Sequence, residues 1–377
     1  MYTREGVSIL TISSGECYSA VVETLADFAV RFNPVFQELL SKEIEKITDC
    51  STDENVLYAY RHLVTLASAG GKRIRPYVAS LLYRACGNAS DEDIMHFLIF
   101  LETFHLFALV HDDIMDSADE RYGQPTVHAA LRTRLAQRGA MGDIRSASIA
   151  EAILCGDLLL TLVHQFTLNQ QGGIVPRERV DEAHRLLILM SREMVIGQHL
   201  DIEFPTRLDV SERDILNRHH LKTSLYTFVR PMHIGAVLGG ANAAVRHFCI
   251  AFGSALGMGF QLEDDLLDLL SNETAMGKAP GADLTQRQHT LLTAQLRQHG
   301  TKEQSAVLES VWGKALSPEQ LNTARALFHD SGATDAVRSR AAEAFGEARG
   351  LLRGAPLPAE AAQALERLLQ FFEHRLP

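Results

Sequence analysis

Apolar residues recur along this chain at intervals of three and four, and strict alternation is scarce, so the pattern predicts many helices and few strands. Proline punctuates it. Pro34, Pro76, Pro125, Pro176, Pro205, Pro231, Pro280 and Pro318 fall where periodic stretches end or begin, dividing the chain into ten or more helix-sized pieces. The most apolar run, Phe97 to Val110, is interrupted by Glu102 and His105 and reads as a core helix, too short to span a bilayer. Residues 129–148 carry Arg132, Arg134, Arg138, Gly139 and Gly142 and predict a partly flexible, basic connection. From Thr301 onward, Ala, Leu, Glu and Arg at helical spacing predict amphipathic helices, the last set off by Pro356 and Pro358. Residues 1–20 read as a loosely held tail. No Ser/Pro/Gly-rich linker and no repeat of fixed period divides the rest, so residues 21–377 are expected to form one all-α domain.

Composition narrows the function classes. The chain has 377 residues, 46% apolar and 22% charged, enough to bury a substantial core. Against 36 Lys and Arg stand 47 Asp and Glu, a formal charge of −11, which argues against a nucleic-acid partner. Cys17, Cys50, Cys86, Cys155 and Cys249 are odd in number, scattered and without a CxxC pair, so free thiols are expected rather than disulfides or zinc. The N-terminal residues make a poor signal peptide, and the expected location is the cytoplasm, with no transmembrane segment.

The candidate chemistry lies in two acidic clusters of identical spacing. Asp112-Asp113-Ile114-Met115-Asp116 follows the apolar run, and Asp264-Asp265-Leu266-Leu267-Asp268 follows a second helical stretch, Phe248–Leu262. Asp112 and Asp116 share a helix face, as do Asp264 and Asp268, and like charges at that spacing are costly unless a cation sits between them. Two facing carboxylate sets suit hard cations such as Mg²⁺, which bridge carboxylates to phosphates. Gly253, Gly257 and Gly259 precede the second cluster, and glycines within a helix suggest close approach by another helix or a ligand. Gly70-Gly71-Lys72-Arg73-Ile74-Arg75-Pro76 places three cations behind two glycines, a candidate anion loop. Lys222-Thr223 and Gly277-Lys278 offer further donors, and Gln198 precedes Asp201 on another apolar helix.

In order along the chain stand GGKRIRP (70–76), HDDIMD (111–116), GQPTVH (123–128), GD (156–157), GQHLD (197–201), KTSLY (222–226), GFQLEDDLLD (259–268), GK (277–278) and GAD (281–283). This ordered set resembles the trans-polyprenyl diphosphate synthases, from about Gly70 to Gly281 and more weakly to the C-terminus. The resemblance implies an all-α, isoprenoid-synthase-type bundle around a central apolar cavity, a homodimer, and Mg²⁺ as cofactor. It implies Asp112, Asp116 and Asp264 as leading metal ligands, supported by Asp113, Asp265 and Asp268. Arg121, Lys222 and Lys278 would contact an allylic prenyl diphosphate, and Thr223 and Gln261 would stabilise its cation. Gly71, Lys72, Arg75 and His105 would hold isopentenyl diphosphate, and Gln198 would be a substrate-site residue able to present its carbonyl dipole to a cation. Phe107, five positions before Asp112, would floor the pocket and limit the product to about C15 to C20, geranylgeranyl diphosphate favoured.

The sequence departs from the family pattern twice. Tyr122 follows Arg121 where a second arginine is usual, and a phenol supplies neither permanent charge nor a bidentate fork. Gln288 stands where a lysine is expected, with Arg287 or His289 as the compensating cation, and Arg375 aligns loosely with a C-terminal arginine of some relatives. Both departures fall on the isopentenyl side. They keep open a terpene synthase-like or irregular prenyltransferase that ionises one prenyl diphosphate.

Overall fold

The computed structural model describes residues 23–88, 90–168, 173–271 and 280–375; the expected tail and Lys278 lie outside them. The described residues are helical throughout, apart from loops and one two-stranded hairpin. The helices are α1 (Leu25–Glu45), α2 (Glu54–Ala69), α3 (Ile74–Ala85), α4 (Met95–Met115), α5 (Val127–Gln137), α6 (Ile144–Leu168), α7 (Arg177–Glu203) and α8 (Glu212–His219). A π-helical stretch, His220–Val229, continues α8 directly into α9 (Arg230–Gly239). There follow α10 (Ala243–Leu270), α11 (Ala282–Thr285), α12 (Leu291–His299), α13 (Lys302–Val311), α14 (Pro318–Asp330), α15 (Ala333–Leu352) and α16 (Ala359–Glu373).

α4 is apolar on every side and lies at the centre, packed along α6 and α3. Phe97, Phe100 and Phe104 are fully buried in one hydrophobic core with residues from α1 to α16. α10, the second long apolar helix, packs against the π-helical stretch and α15. Its glycines explain how closely. A Cβ at Gly253 would meet Val229 at 3.0 Å, one at Gly257 would meet the Ser224 Cα at 2.5 Å, and one at Gly259 would meet the Phe345 ring at 2.7 Å. The glycines therefore serve helix–helix approach.

Four expectations are corrected. Pro34 lies inside α1, and Pro231 lies within the continuous helix running from α8 to α9. Pro231 is tolerated because the ladder is already re-registered there: the Arg230 N–H donates to the Leu225 carbonyl, an i→i−5 bond. Residues 127–137 form α5 rather than a flexible connection, because Val127, Leu131 and Leu135 bury a stripe that the intervening arginines conceal. Neither acidic cluster begins after its helix ends: α4 runs through to Met115, and Asp264 to Asp268 lie inside α10. Finally, the run Phe97–Val110 belongs to a longer segment, Glu92–Met115, which, like Ile144–Phe166 and Ala243–Leu270, is long and apolar enough to cross a membrane by length and composition alone. Buried Glu102 and Asp113 in the first, and Glu263 and Asp265 in the third, hold polar positions inside the bundle. Cys50, Cys86, Cys155 and Cys249 are free thiols.

Candidate active site

The last three turns of α4 and the C-terminal third of α10 open onto one cavity of about 690 Å³, lined by both Asp112 and Asp264. Its remaining walls come from the loop before α3, the hairpin, α7, the π-helical stretch and Arg375. Phe107, Ala108, Met194, Val195 and Ile202 add apolar lining beside these charged groups. Phe104, which a helical wheel places closer to the carboxylates than Phe107, is instead packed into the core.

Around Asp112 the cations come from two elements. Gln198 Nε2 donates to Asp112 Oδ1 at 3.0 Å, and Lys222 Nζ stands 3.6 Å from the same oxygen. Lys222 Nζ also donates to Asp201 Oδ2 at 2.5 Å. Burial alone would lower the Lys222 pKa, but Asp201, Asp112 and Asp116 outweigh it and hold the ammonium above its ordinary value. Arg121 reaches in from a tight hairpin whose strands are Glu120–Arg121 and Gln124–Pro125. Tyr122 and Gly123 have φ of 53° and 72°, the two positive values of a type I′ turn. The Arg121 guanidinium donates to buried Asp113 at 2.6 and 2.8 Å and lies 3.9 Å from Asp112. Asp113 thus anchors Arg121 from behind the cavity wall.

Around Asp264 the cations differ. Arg375 donates to Asp264, and Lys72 lies close enough to act on the same carboxylate. Burial raises the Asp264 carboxyl, with Arg375 and Lys72 opposing. The Lys72 ammonium is lowered by burial and then by Arg375. Asp265 is buried beneath, with Gln261 Nε2 donating to it at 2.9 Å, and burial followed by Asp283 pushes its carboxyl well up. Gln261 in turn accepts from the Thr223 hydroxyl at 2.6 Å, so Thr223, Gln261 and Asp265 form a chain across two helices. Asp268 is turned to the backbone, accepting from the N–H groups of Ala282 and Asp283.

The basic loop divides its cations. Arg73, in the left-handed region at φ 56°, is buried and spent on Glu102 at 2.6 Å, the Ala67 carbonyl at 2.6 Å and Asn33 at 2.7 Å. Lys72 and Arg75 line the cavity. The Arg75 guanidinium lies 4.0 Å over the Tyr226 ring and donates to Thr227 at 2.9 Å. His105 Nδ1 pairs with the Tyr226 hydroxyl at 2.9 Å, and burial followed by Arg75 and Arg121 pushes the imidazole well below its usual pKa, so it is neutral near pH 7. Gly71 has φ 113°, and a Cβ there would strike the Arg73 guanidinium at 2.7 Å. A Cβ on Gly70 would strike the Tyr122 ring at 2.8 Å, so the ring that replaces a guanidinium is packed over this loop.

The expected compensation at Gln288 is corrected. The Arg287 guanidinium stacks 4.9 Å from Trp312, and His289 packs on the same ring, so both are held outside the cavity. Gln288 belongs to a buried network beneath Lys222, accepting from Arg218 at 3.1 Å. The sequence alone gives Arg218, Asp201, Tyr226 and Thr227 no individual role, although Asp201 closes the GQHLD segment and Tyr226 the KTSLY segment. The signal that could have found three of them is the 3.6-residue spacing from Lys222, which the π-helical stretch distorts.

The oxygen-rich donors on the two walls suit a hard divalent cation. Among the described residues no three His, Cys, Asp or Glu converge to hold a metal by themselves.

Comparison with known proteins agrees with this arrangement. The polyprenyl synthetase family profile matches residues 57–328. The geranylgeranyl diphosphate synthase of Methanosarcina mazei is 33% identical over 259 residues, 69% of this chain and 72% of that one. The geranylfarnesyl diphosphate synthase of Natronomonas pharaonis is 27% identical, covering 90% and 95%. Among solved structures, a geranylgeranyl pyrophosphate synthase from Corynebacterium glutamicum, complexed with isoprenyl diphosphate and magnesium, superposes with a TM-score of 0.85 at 27% identity, over 92% of this chain and 99% of that one. With a profile match across well over half its length, this chain belongs to the polyprenyl synthetase family of trans-prenyl diphosphate synthases and is a prenyltransferase.

Proposed function

We propose that the enzyme condenses an allylic prenyl diphosphate with isopentenyl diphosphate to give a short-chain prenyl diphosphate of about C15 to C20, geranylgeranyl diphosphate favoured. The observation that carries this reading is the presence of two separate cation sets on one cavity: Lys222 and Arg121 at Asp112, and Lys72 and Arg375 at Asp264, with Arg75 beside them. Two diphosphates need two such sets, whereas a cyclase acting on one has no use for the second. Relatives named for geranylgeranyl diphosphate support the product length.

Mg²⁺ when bound stabilises the leaving diphosphate; Asp112 and Asp116 would hold it on one wall and Asp264 on the other, while Asp113 positions Arg121, Asp265 positions Gln261 and Asp268 holds the backbone at Ala282 and Asp283. Lys222 and Arg121, with Lys278, would neutralise the departing diphosphate as its carbon–oxygen bond breaks. The hydrogen-bonded pair of Thr223 and Gln261 lies on the cavity wall, where its dipoles would face the allylic cation. Lys72, Arg75, Arg375 and Gly71 would hold isopentenyl diphosphate, with neutral His105 as a hydrogen-bonding partner, while its double bond attacks the cation. The proton then lost would pass to the departing diphosphate. Phe107 and its apolar neighbours exclude the water that would quench the cation. The same reading takes the chain as one domain of a cytoplasmic homodimer, with exposed Ile153 and Leu154 on α6 as apolar surface for a partner.

One observation keeps a second reading: Tyr122 lines the cavity where a guanidinium would strengthen the isopentenyl subsite, which suits an enzyme that ionises one prenyl diphosphate and cyclises it or passes it to another acceptor. Incubation with Mg²⁺ and C5, C10 and C15 allylic diphosphates, with and without isopentenyl diphosphate, separates the two by mass spectrometry. Elongated products only in its presence support the proposal, and consumption of the allylic substrate without it overturns it.

A further inference from the structure

Behind Lys222 lies a cation that reaches neither the cavity nor the surface. Arg218, at the last turn of α8, is 4% exposed. Its NH1 lies 3.1 Å from Asp201 Oδ1 and donates to Gln288 Oε1 at 3.1 Å, while NH2 donates to His219 Nε2 at 2.7 Å. The other Asp201 oxygen accepts from Lys222 at 2.5 Å. One carboxylate therefore bridges two cations through separate oxygens, Oδ2 to the cavity-lining Lys222 and Oδ1 to the buried Arg218. Gln288 completes the arrangement as a neutral partner: its Oε1 accepts from Arg218 and its Nε2 donates to the Asp201 carbonyl at 3.3 Å.

The charges decide what the cavity senses. Lys222 faces two carboxylates, Asp201 at 2.5 Å and Asp112 at 3.6 Å, so without a further cation its charge is more than balanced. Arg218 supplies that cation from behind Asp201, which divides its attraction between two donors. The interior is poorly screened, so a cation out of contact with the ligand still acts on it. A lysine at 288 would add a second ammonium against the guanidinium, which accounts for the glutamine.

We propose that Arg218 is a positioning residue that, through Asp201, fixes Lys222 and gives it the net charge with which it binds a diphosphate, and that Gln288 is its matched neutral partner. This rests on the diphosphate reading of the cavity. The test is calorimetric binding of inorganic pyrophosphate with Mg²⁺ to the full chain and its variants, which needs no turnover. Arg218→Gln should bind roughly tenfold more weakly, equivalent to about 1.4 kcal/mol. Arg218→Lys, which keeps the charge, should stay within about threefold of the parent by the same conversion. Gln288→Glu keeps Arg218 in place but neutralises it, and should lose as much as Arg218→Gln; it serves if Arg218→Gln does not fold. Arg218→Gln combined with Gln288→Lys moves the cation across the pair and should recover most of the loss. Unchanged affinity in Arg218→Gln or Gln288→Glu, an equal loss in Arg218→Lys, or additive losses in the double variant would overturn the proposal. A parent chain that binds pyrophosphate yet forms no prenyl product would instead count against the condensation reading alone.

Discussion

Gly197 on α7 faces the backbone of the π-helical stretch, and a single methyl group there tests whether the position of Lys222 governs turnover. A Cβ added to Gly197 would lie 2.5 Å from the Lys222 nitrogen and 2.8 Å from its Cα, against 3.4 Å or more for ordinary contact. The deficit is about 0.9 Å and falls on backbone, so the π-helical stretch must move rather than a side chain rotate. Two stability effects oppose each other. Alanine is favoured over glycine inside a helix by roughly 1 kcal/mol, while overpacking costs roughly 1–3 kcal/mol. Gly197→Ala should therefore lose at most about 2 kcal/mol and remain folded. Displacing Lys222 and Thr223 by nearly 1 Å should lower kcat by about 100-fold. Gly346→Ala on α15 is the control, because its Cβ would meet nothing within 4 Å; it should gain up to about 1 kcal/mol with unchanged turnover. Urea unfolding gives the stability and steady-state condensation assays give kcat. A folded Gly197→Ala enzyme with parental kcat would refute the link between this contact and the chemistry.

Further expectations follow from other sites. Arg73→Met leaves Glu102, whose second oxygen already lacks a partner, as an uncompensated buried charge; chemical denaturation should show a loss of roughly 3–5 kcal/mol. Phe107→Ala removes part of the apolar lining of the cavity and should shift the product distribution to longer chains by mass spectrometry; an unchanged distribution would show that Phe107 does not limit product length. Tyr122→Arg should lower the KM for isopentenyl diphosphate by about tenfold, a charge-assisted bond being worth roughly 1.5–3 kcal/mol, whereas an unchanged or higher KM would remove that residue from the subsite. Burial pushes His233 down to about 4. Between pH 4 and about 6.5 the unfolded chain then binds the extra proton, so stability falls as pH drops through this window and is flat above it. His233→Gln should flatten the fall in unfolding midpoint between pH 6.5 and 4.

What was legible in the sequence was whatever depends on local periodicity or residue chemistry. The helical class came from the spacing of apolar positions, and the acidic clusters from carboxylates four apart. The α10 glycines signalled a close neighbour, since glycine inside a helix otherwise only costs stability. The residues of the basic loop could be named, but not that Arg73 is spent on Glu102 while Lys72 and Arg75 face the cavity, because Glu102 comes from a different helix.

Tertiary structure alone decided the rest. Pro231 does not end its helix because the π-helical register beside it has already displaced the ladder, and no rule about proline taken alone shows that. The type I′ turn at Tyr122 and Gly123 aims Arg121 at Asp113, although tyrosine is a poor sequence signal for a positive φ. Arg218, Asp201 and Gln288 are separated by 17 and 70 residues, and their meeting depends on how α7, α8 and the loop after α11 pack. Sequence fixes the charges and their local spacing, since both are properties of neighbouring residues. Which charges share a cavity, and which are neutralised behind its wall, depends on packing between segments far apart in the chain, and in a poorly screened interior that distinction sets what each charge can do.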